Sequence, residues 1–148
     1  MSLLNLQASY FAIENPLQQL DRWLHGYRHC QTVRINQREI EVSWTGRAER
    51  ELQRRQQQLV VEMQLYFSCV VKKRVLFHHH SDQPGSVRVN ENIGLLFQPI
   101  ASAACDPEEF AARYPQGKNL SAGRAARMVP RRVEIDYRQE NWEGQFHY

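Results

Sequence analysis

Residues 59–79 read LVVEMQLYFSCVVKKRVLFHH, and this stretch carries the clearest pattern for predicting the fold. Between 61 and 77 the odd-numbered positions are apolar at eight of nine places, Lys73 being the exception, while most even-numbered positions are polar. Such alternation, rich in β-branched and aromatic residues, indicates a strand with one buried face. No Gly, Pro, Asn or Asp interrupts it, so we predict one very long amphipathic strand over about 59–79, bent near Ser68 or Lys72–Lys73. A strand with one wet face is typical of an antiparallel sheet.

Shorter alternating segments on both sides of this stretch predict more strands. Residues 33–44 alternate in two halves whose parity changes at Asn36-Gln37-Arg38, as it does where a tight turn closes a hairpin. Further strands are predicted at 87–89, 93–100 and 133–137, with a C-terminal hairpin that includes Trp142, Phe146 and Tyr148.

Helix signals are clearest near the N-terminus. Asn15 can cap a helix that starts at Pro16, and apolar residues follow at helical spacing: Leu17, Leu20, Leu24 and Tyr27. We expect this helix to lay its apolar stripe on a sheet. A second helix is predicted to open at Asp106-Pro107, a short third one over Ser121 to Met128, and the polar stretch 45–58 is a short exposed helix or a connection.

Together these elements predict one α+β domain over residues 1–148. It would contain an antiparallel sheet of about five to seven strands, with two or three helices packed on one face. The predicted core consists of Leu20, Leu24, Val61, Met63, Leu65, Phe67, Val71, Val75, Phe77, Val133 and Ile135.

The composition restricts the classes of function but does not identify one. The net charge is +3 and the pI about 8.9, a mild excess that does not predict a nucleic-acid partner unless the basic residues cluster. The N-terminal residues lack the features of a signal peptide, and no stretch approaches the roughly 20 apolar residues that span a bilayer. Three widely spaced cysteines do not form a disulfide framework. We therefore expect a cytoplasmic protein that does not bind membranes.

The run His78-His79-His80 is the best metal-binding candidate. Neutral imidazole is the commonest protein ligand for metals such as zinc. Consecutive strand residues point to opposite faces, so only His78 and His80 would converge, and no partner ligand lies at a recognised spacing. The alternative is a polar strand end, and binding no cofactor is the favoured expectation.

Cys69 and Cys105 are the two cysteines considered as candidate nucleophiles. Cys69 is on the apolar parity of the long strand and is expected in the core. Cys105 directly precedes the predicted helix at Asp106, whose N-terminus would lower the thiol pKa. No His–Asp or His–Asn pair can be assigned to Cys105, so the sequence does not define a catalytic set.

Basic residues form a candidate polyanion site. If the residues around Pro130 meet the basic part of the long strand, they would track phosphates, with Tyr66, Tyr137 and Trp142 as stacking surfaces. The candidate set consists of Arg124, Arg127, Arg131, Arg132, Lys72 and Arg74. The alternative is a solvated face, because acids such as Glu134 and Asp136 interleave with these residues.

No pattern of catalytic residues emerges, whereas the strands and helices are clear. We therefore expect a non-enzymatic binding or adaptor module with a protein partner. Polyanion binding and metal binding are the alternatives. A homodimer that pairs through an exposed strand edge is a further expectation.

Overall fold

The computed structural model describes residues 16–68, 71–102, 117–120 and 122–148, which form a two-layer β-sandwich. In chain order the strands are β1 (His29–Ile35), β2 (Arg38–Trp44), β3 (Leu59–Phe67), β4 (Val71–His78), β5 (Val87–Arg88), β6 (Ile93–Ala101), β7 (Lys118–Asn119), β8 (Arg132–Arg138) and β9 (Asn141–His147). The first sheet has the order β1-β2-β8-β9. The second has the order β4-β3-β6-β5, and β7 pairs with β6.

The prediction of a single antiparallel sheet is wrong. Both sheets are mixed, since β2 and β8 pair in parallel, as do β3 and β6. Each parallel pair joins an inner strand of one hairpin to a strand that is distant in sequence. Local alternation fixes which residues share a face, but it carries no information on which distant strand becomes the neighbour.

The prediction of one very long strand over 59–79 is also wrong, because the chain turns back after Phe67 to form the β3–β4 hairpin. The register explains how a hairpin imitates an unbroken strand. Phe67 faces Val71 and Val61 faces Phe77, so every odd-numbered residue of β3 lies opposite an odd-numbered residue of β4. Paired residues share a face, so the apolar parity passes through the turn without a phase slip.

β3 lies between β4 and β6, and both of its faces are buried. Its odd-numbered side chains enter the core, as predicted for Val61, Met63 and Leu65. Its even-numbered positions, expected to be wet, are buried as well: Val60, Glu62, Gln64 and Tyr66. The wet-face interpretation therefore fails for β3.

The helices also differ from the prediction of two or three helices on one face of a sheet. Among the described residues there are two short α-helices, α1 (Pro16–Leu24) and α2 (Gly46–Arg54), and one 3-10 turn (Ala125–Arg127). Only α2 packs into the core: Thr45 caps it by accepting from the Ala48 backbone N–H, and Ala48 and Leu52 are buried. The 3-10 turn stands where a third α-helix was predicted. The helix predicted to open at Asp106 lies outside the described residues.

Two hairpins follow the sequence closely. Asn36 and Gln37 link β1 to β2, and Gln139 and Glu140 link β8 to β9. All four residues have positive φ, between 50° and 68°, as a two-residue type I′ turn requires. These turns fix the registers that bring Val133 opposite Phe146 and Val33 opposite Ile40.

The core joins both sheets with α2. Of the predicted core residues, Val61, Met63, Leu65, Val133 and Ile135 are buried, and Phe67, Val75 and Phe77 are partly buried against them. Val71, Leu20 and Leu24 were wrongly placed in the core, since each is at least half exposed. Large buried residues that the sequence did not single out include Ile40, Leu52, Leu95 and Phe146.

Candidate functional site

Helix α1 begins at Pro16 as predicted, but its apolar residues do not lie on a sheet. Leu17 is 71% exposed, Leu20 50%, Trp23 78% and Leu24 52%. We call these four residues the exposed helix face. Apolar side chains gathered on one helix and left in water mark an interaction surface more often than a solvated one.

Arg47 on α2 holds α1 in this orientation. Its Nε and Nη2 donate to the Asp136 carboxylate at 2.7 and 2.6 Å, and its Nη1 and Nη2 donate to Asp21 of α1 at 3.2 and 3.0 Å. The Arg47 side chain is only 15% exposed. α1 is therefore anchored through its acidic residue, which leaves its apolar residues facing outward.

The same contacts keep the anchor charged. The hydrogen bond from Arg47 lowers the pKa of Asp21 despite an opposing desolvation cost. Burial alone would raise the pKa of Asp136, but hydrogen bonds from Arg47, Thr45 and the Tyr137 backbone N–H outweigh it and lower that pKa. The pKa of Arg47 is raised by its bonds to Asp136 and Asp21.

Beside α1 is a cleft of about 290 Å³ that opens over the outer face of the first sheet. Its acidic lining residues are Asp21, Glu134, Asp136 and Glu143. Three guanidinium groups offset them in part. Arg138 pairs with Glu143 at 3.2 Å, Arg132 lies 3.7 Å from Glu134, and Arg47 holds the two aspartates. We call this the acidic cleft. It borders the exposed helix face because Asp21 belongs to both the helix and the cleft wall.

A basic surface forms at the end of the sandwich where β8 begins. Four segments of the chain meet there. The Arg131 backbone N–H donates to the His147 carbonyl at 2.9 Å, and Lys73 Nζ donates to the Phe146 carbonyl at 3.0 Å. Asn36 in the β1–β2 turn donates to the Ala126 carbonyl at 2.7 Å. These contacts gather the residues that we call the basic end: Arg38, Lys73, Arg124, Arg127, Arg131 and Arg132.

Acidic residues near the basic end are already paired. Glu41 contacts Arg132 at 3.2 Å, and Glu39 contacts Arg34 at 3.8 Å. By contrast, the exposed side chains of four arginines form no ion pair with any described residue: Arg38, Arg124, Arg127 and Arg131. All four side chains are exposed.

Two of the remaining predicted polyanion residues are on the second sheet. Lys72 opens β4 at the basic end, opposite Tyr66. The Arg74 guanidinium is used elsewhere: its Nε donates to Gln64 Oε1 at 2.8 Å, and it lies 5.7 Å from the Tyr66 ring centre. The structure therefore brings the arginines from 124 to 132 together with the start of β4, but it places Arg74 in a side-chain network.

The predicted metal ligands have other partners. His78 Nε2 lies 2.9 Å from Glu62 Oε1, and His80 Nδ1 lies 3.1 Å from Gln57 Oε1. Within the described ranges, no group of three or more His, Cys, Asp or Glu residues has an arrangement suited to a metal ion. Cys69 and Cys105 lie outside those ranges, and Cys30 is a free, exposed thiol.

The expected stacking residues are also occupied. Trp142 packs against Phe77 with ring centres 6.0 Å apart and against Tyr137 at 4.8 Å. This cluster lines a cleft of about 400 Å³ with Arg55, whose Nη1 contacts His79 Nδ1 at 2.9 Å. The cluster is at the β8–β9 turn, which is the end of the sandwich opposite to the basic end.

No protein-family model matches this sequence, and neither the curated proteins nor the solved structures contain a significant match. No described helix has the length and apolar character needed to cross a membrane. Any functional assignment therefore depends on the geometry of this chain.

Sequence reasoning missed Trp23, Arg47 and Arg38 as functional residues. Trp23 belongs to the helical stripe, and its exposure depends on the anchor that Asp21 forms. Arg47 belongs to the polar stretch 45–58, which is predicted to be exposed, and nothing local signals its two aspartate partners, which are 26 and 89 residues away. Arg38 could have been found, since it belongs to the predicted turn at 36–38 and must lie at an end of the sheet.

The free energy of unfolding of a polar variant tests whether the exposed helix face is in solvent. We expect the double variant Leu20→Gln/Leu24→Gln to change the free energy of unfolding by no more than about 0.5 kcal/mol, because leucine and glutamine have similar helix propensities and neither site is buried. Urea denaturation followed by circular dichroism measures this change. A loss of several kcal/mol would mean that the stripe packs on the sheet after all.

Proposed function

We propose that this chain is a non-enzymatic binding module that docks a basic, apolar segment of a partner protein. The exposed helix face is the observation that carries the proposal. Four large apolar side chains stand in water on a helix that is anchored through its acidic residue. In a stable fold such a helix would be expected to turn this stripe inward, so its outward orientation favours an external partner.

The charge of the neighbouring cleft supports a basic partner. Four carboxylates line the acidic cleft, and three guanidinium groups balance only part of their charge. The depressed pKa values of Asp21 and Asp136 keep these groups ionised at neutral pH. A segment with apolar residues for the helix face and lysine or arginine for the cleft would complement both surfaces.

Synthetic peptides provide the test. We expect an amphipathic leucine–lysine peptide to bind the protein, and a leucine–glutamate peptide with the same spacing to bind much more weakly. Leu20→Gln/Leu24→Gln should weaken binding of the leucine–lysine peptide by at least about tenfold, since central apolar contacts dominate such interfaces. Fluorescence anisotropy of labelled peptides measures the affinities.

Met128→Gln is the matched control, because Met128 is an exposed apolar residue at the other end of the molecule. It should leave peptide affinity unchanged. Equal binding of both peptides, or equal affinity of the helix variant and the wild type, would refute the proposal. A dimer in the native mass spectrum that disappears in the helix variant would instead identify the partner as a second copy of the chain.

A further inference from the structure

The basic end lies at the start of β8, whereas α1 is anchored near the end of that strand. Asp21 of α1 binds Arg47, which also holds Asp136, and it lies 3.5 Å from Arg138. The basic end and the acidic cleft meet at Arg132, which lies 3.7 Å from Glu134. Four guanidinium groups at the basic end lack a carboxylate partner among the described residues. The backbone contact of Arg131 and the side-chain hydrogen bond of Asn36 hold these groups together, so that they present a positively charged surface. Arginine forks of this kind match phosphate oxygens in both geometry and charge.

An aromatic ring is in the middle of this surface. Tyr148 is 53% exposed, and its hydroxyl donates to the Met128 carbonyl at 2.8 Å. Phe146 packs against the ring edge-on, with ring centres 6.2 Å apart. These two contacts fix the ring, and Met128, itself 43% exposed, lies beside it between Arg127 and Arg131. A fixed, exposed ring among arginines that have no carboxylate partner in the described part of the chain is a platform for stacking an unpaired base.

We propose that the basic end binds single-stranded nucleic acid. Arg124, Arg127 and Arg131 contact successive phosphates, and one base stacks on the Tyr148 ring. The stacking ring favours single strands over a duplex, because the bases of a duplex are already stacked on one another. A partner recognised by charge alone, such as a sulfated polysaccharide, would make no use of the ring.

Salt dependence tests the phosphate contacts. We expect fluorescein-labelled oligothymidylate to bind the full chain, with log Kd rising against log salt with a slope of about 2 between about 50 and 200 mM, as three phosphate contacts to a single strand require. The triple variant Arg124→Gln/Arg127→Gln/Arg131→Gln should abolish most of this slope. Its matched control, Arg50→Gln/Arg54→Gln/Arg88→Gln, removes the same charge from other strongly exposed sites and should keep the slope.

Tyr148 distinguishes single strands from other polyanions. We expect Tyr148→Ala to weaken oligothymidylate binding by about tenfold and to leave binding of duplex DNA and heparin unchanged, whereas Tyr148→Phe retains the single-strand affinity.

No binding of oligothymidylate at low salt, or the same salt slope in both triple variants, would overturn the site. An equal effect of Tyr148→Ala on all three ligands, or no effect on any, would overturn the single-strand assignment. The helix variant Leu20→Gln/Leu24→Gln should bind oligothymidylate normally, so this proposal can fail independently of the docking function.

Discussion

Val60→Lys should lower the free energy of unfolding by about 4 kcal/mol or more, because it places an unpaired ammonium group in the interior of the second sheet. Val60 is fully buried on β3, between His78 of β4 and Gly94 of β6. A Cβ on Gly94 would lie only 3.2 Å from the Val60 side chain, so Val60 is closely packed against β6. Urea denaturation followed by circular dichroism measures the loss.

Val71→Lys is the matched control for this prediction. Val71 has the apolar parity of the 59–79 stretch, yet it is 62% exposed at the start of β4. Its replacement should change the stability by no more than about 0.5 kcal/mol. A continuous one-faced strand would reverse this order, since Val71 would then be in the core and Val60 on the wet face. Observing the reversed order would therefore contradict the β3–β4 hairpin.

Arg47→Met should cost about 3 kcal/mol, the second-largest effect that we expect. The substitution keeps much of the side-chain volume but leaves Asp136 and Asp21 without their shared cation. Removing one member of a largely buried ion pair is costly because the remaining charge stays poorly solvated. Arg50→Met on the same helix is the control, since Arg50 is exposed, and it should change the stability by no more than about 0.5 kcal/mol.

The loss from Arg47→Met should depend on pH. Both aspartates have folded pKa values below their ordinary value, so their contribution to stability is complete above the pH range where unfolded carboxylates titrate, near pH 4. It is lost as the pH falls through the lower folded pKa values. We therefore expect the stability difference between wild type and Arg47→Met to shrink on acidification from about pH 7 to below pH 4. A difference that stays constant over this range would show that the carboxylates are not responsible.

The α1 anchor connects this prediction to the docking function. Without Arg47, Asp21 retains only the weaker contacts to His25 at 3.2 Å and Arg138 at 3.5 Å. The helix would then be held less firmly in the orientation that exposes Leu20 and Trp23. Arg47→Met should therefore also weaken binding of the leucine–lysine peptide, although Arg47 is not one of the cleft-lining residues.

Several parts of the candidate sites could be predicted from local sequence. The start of α1 at Pro16 follows from backbone preferences. The change of strand parity at 36–38 predicts the β1–β2 hairpin, although Gln37, Gln139 and Glu140 are residue types that seldom adopt the positive φ of a type I′ turn. The arginines from 124 to 132 were recognised as a group because they are close in sequence on both sides of Pro130. Whether they meet the start of β4 depends on tertiary contacts: Lys73 binds the Phe146 carbonyl of β9, and Arg131 binds the neighbouring His147 carbonyl.

The sequence by itself determined the faces of most strands, the positions of two hairpins and the first residue of α1, because each depends on neighbouring residues and on a period of 2 or 3.6. The tertiary structure alone decided that 59–79 folds back on itself, that β3 is buried on both faces and that the stripe of α1 faces outward. The pairing of β3 with β6 and the bonds of Arg47 to Asp21 and Asp136 produce these outcomes. Such contacts join residues that are far apart in the chain, and no local pattern encodes them.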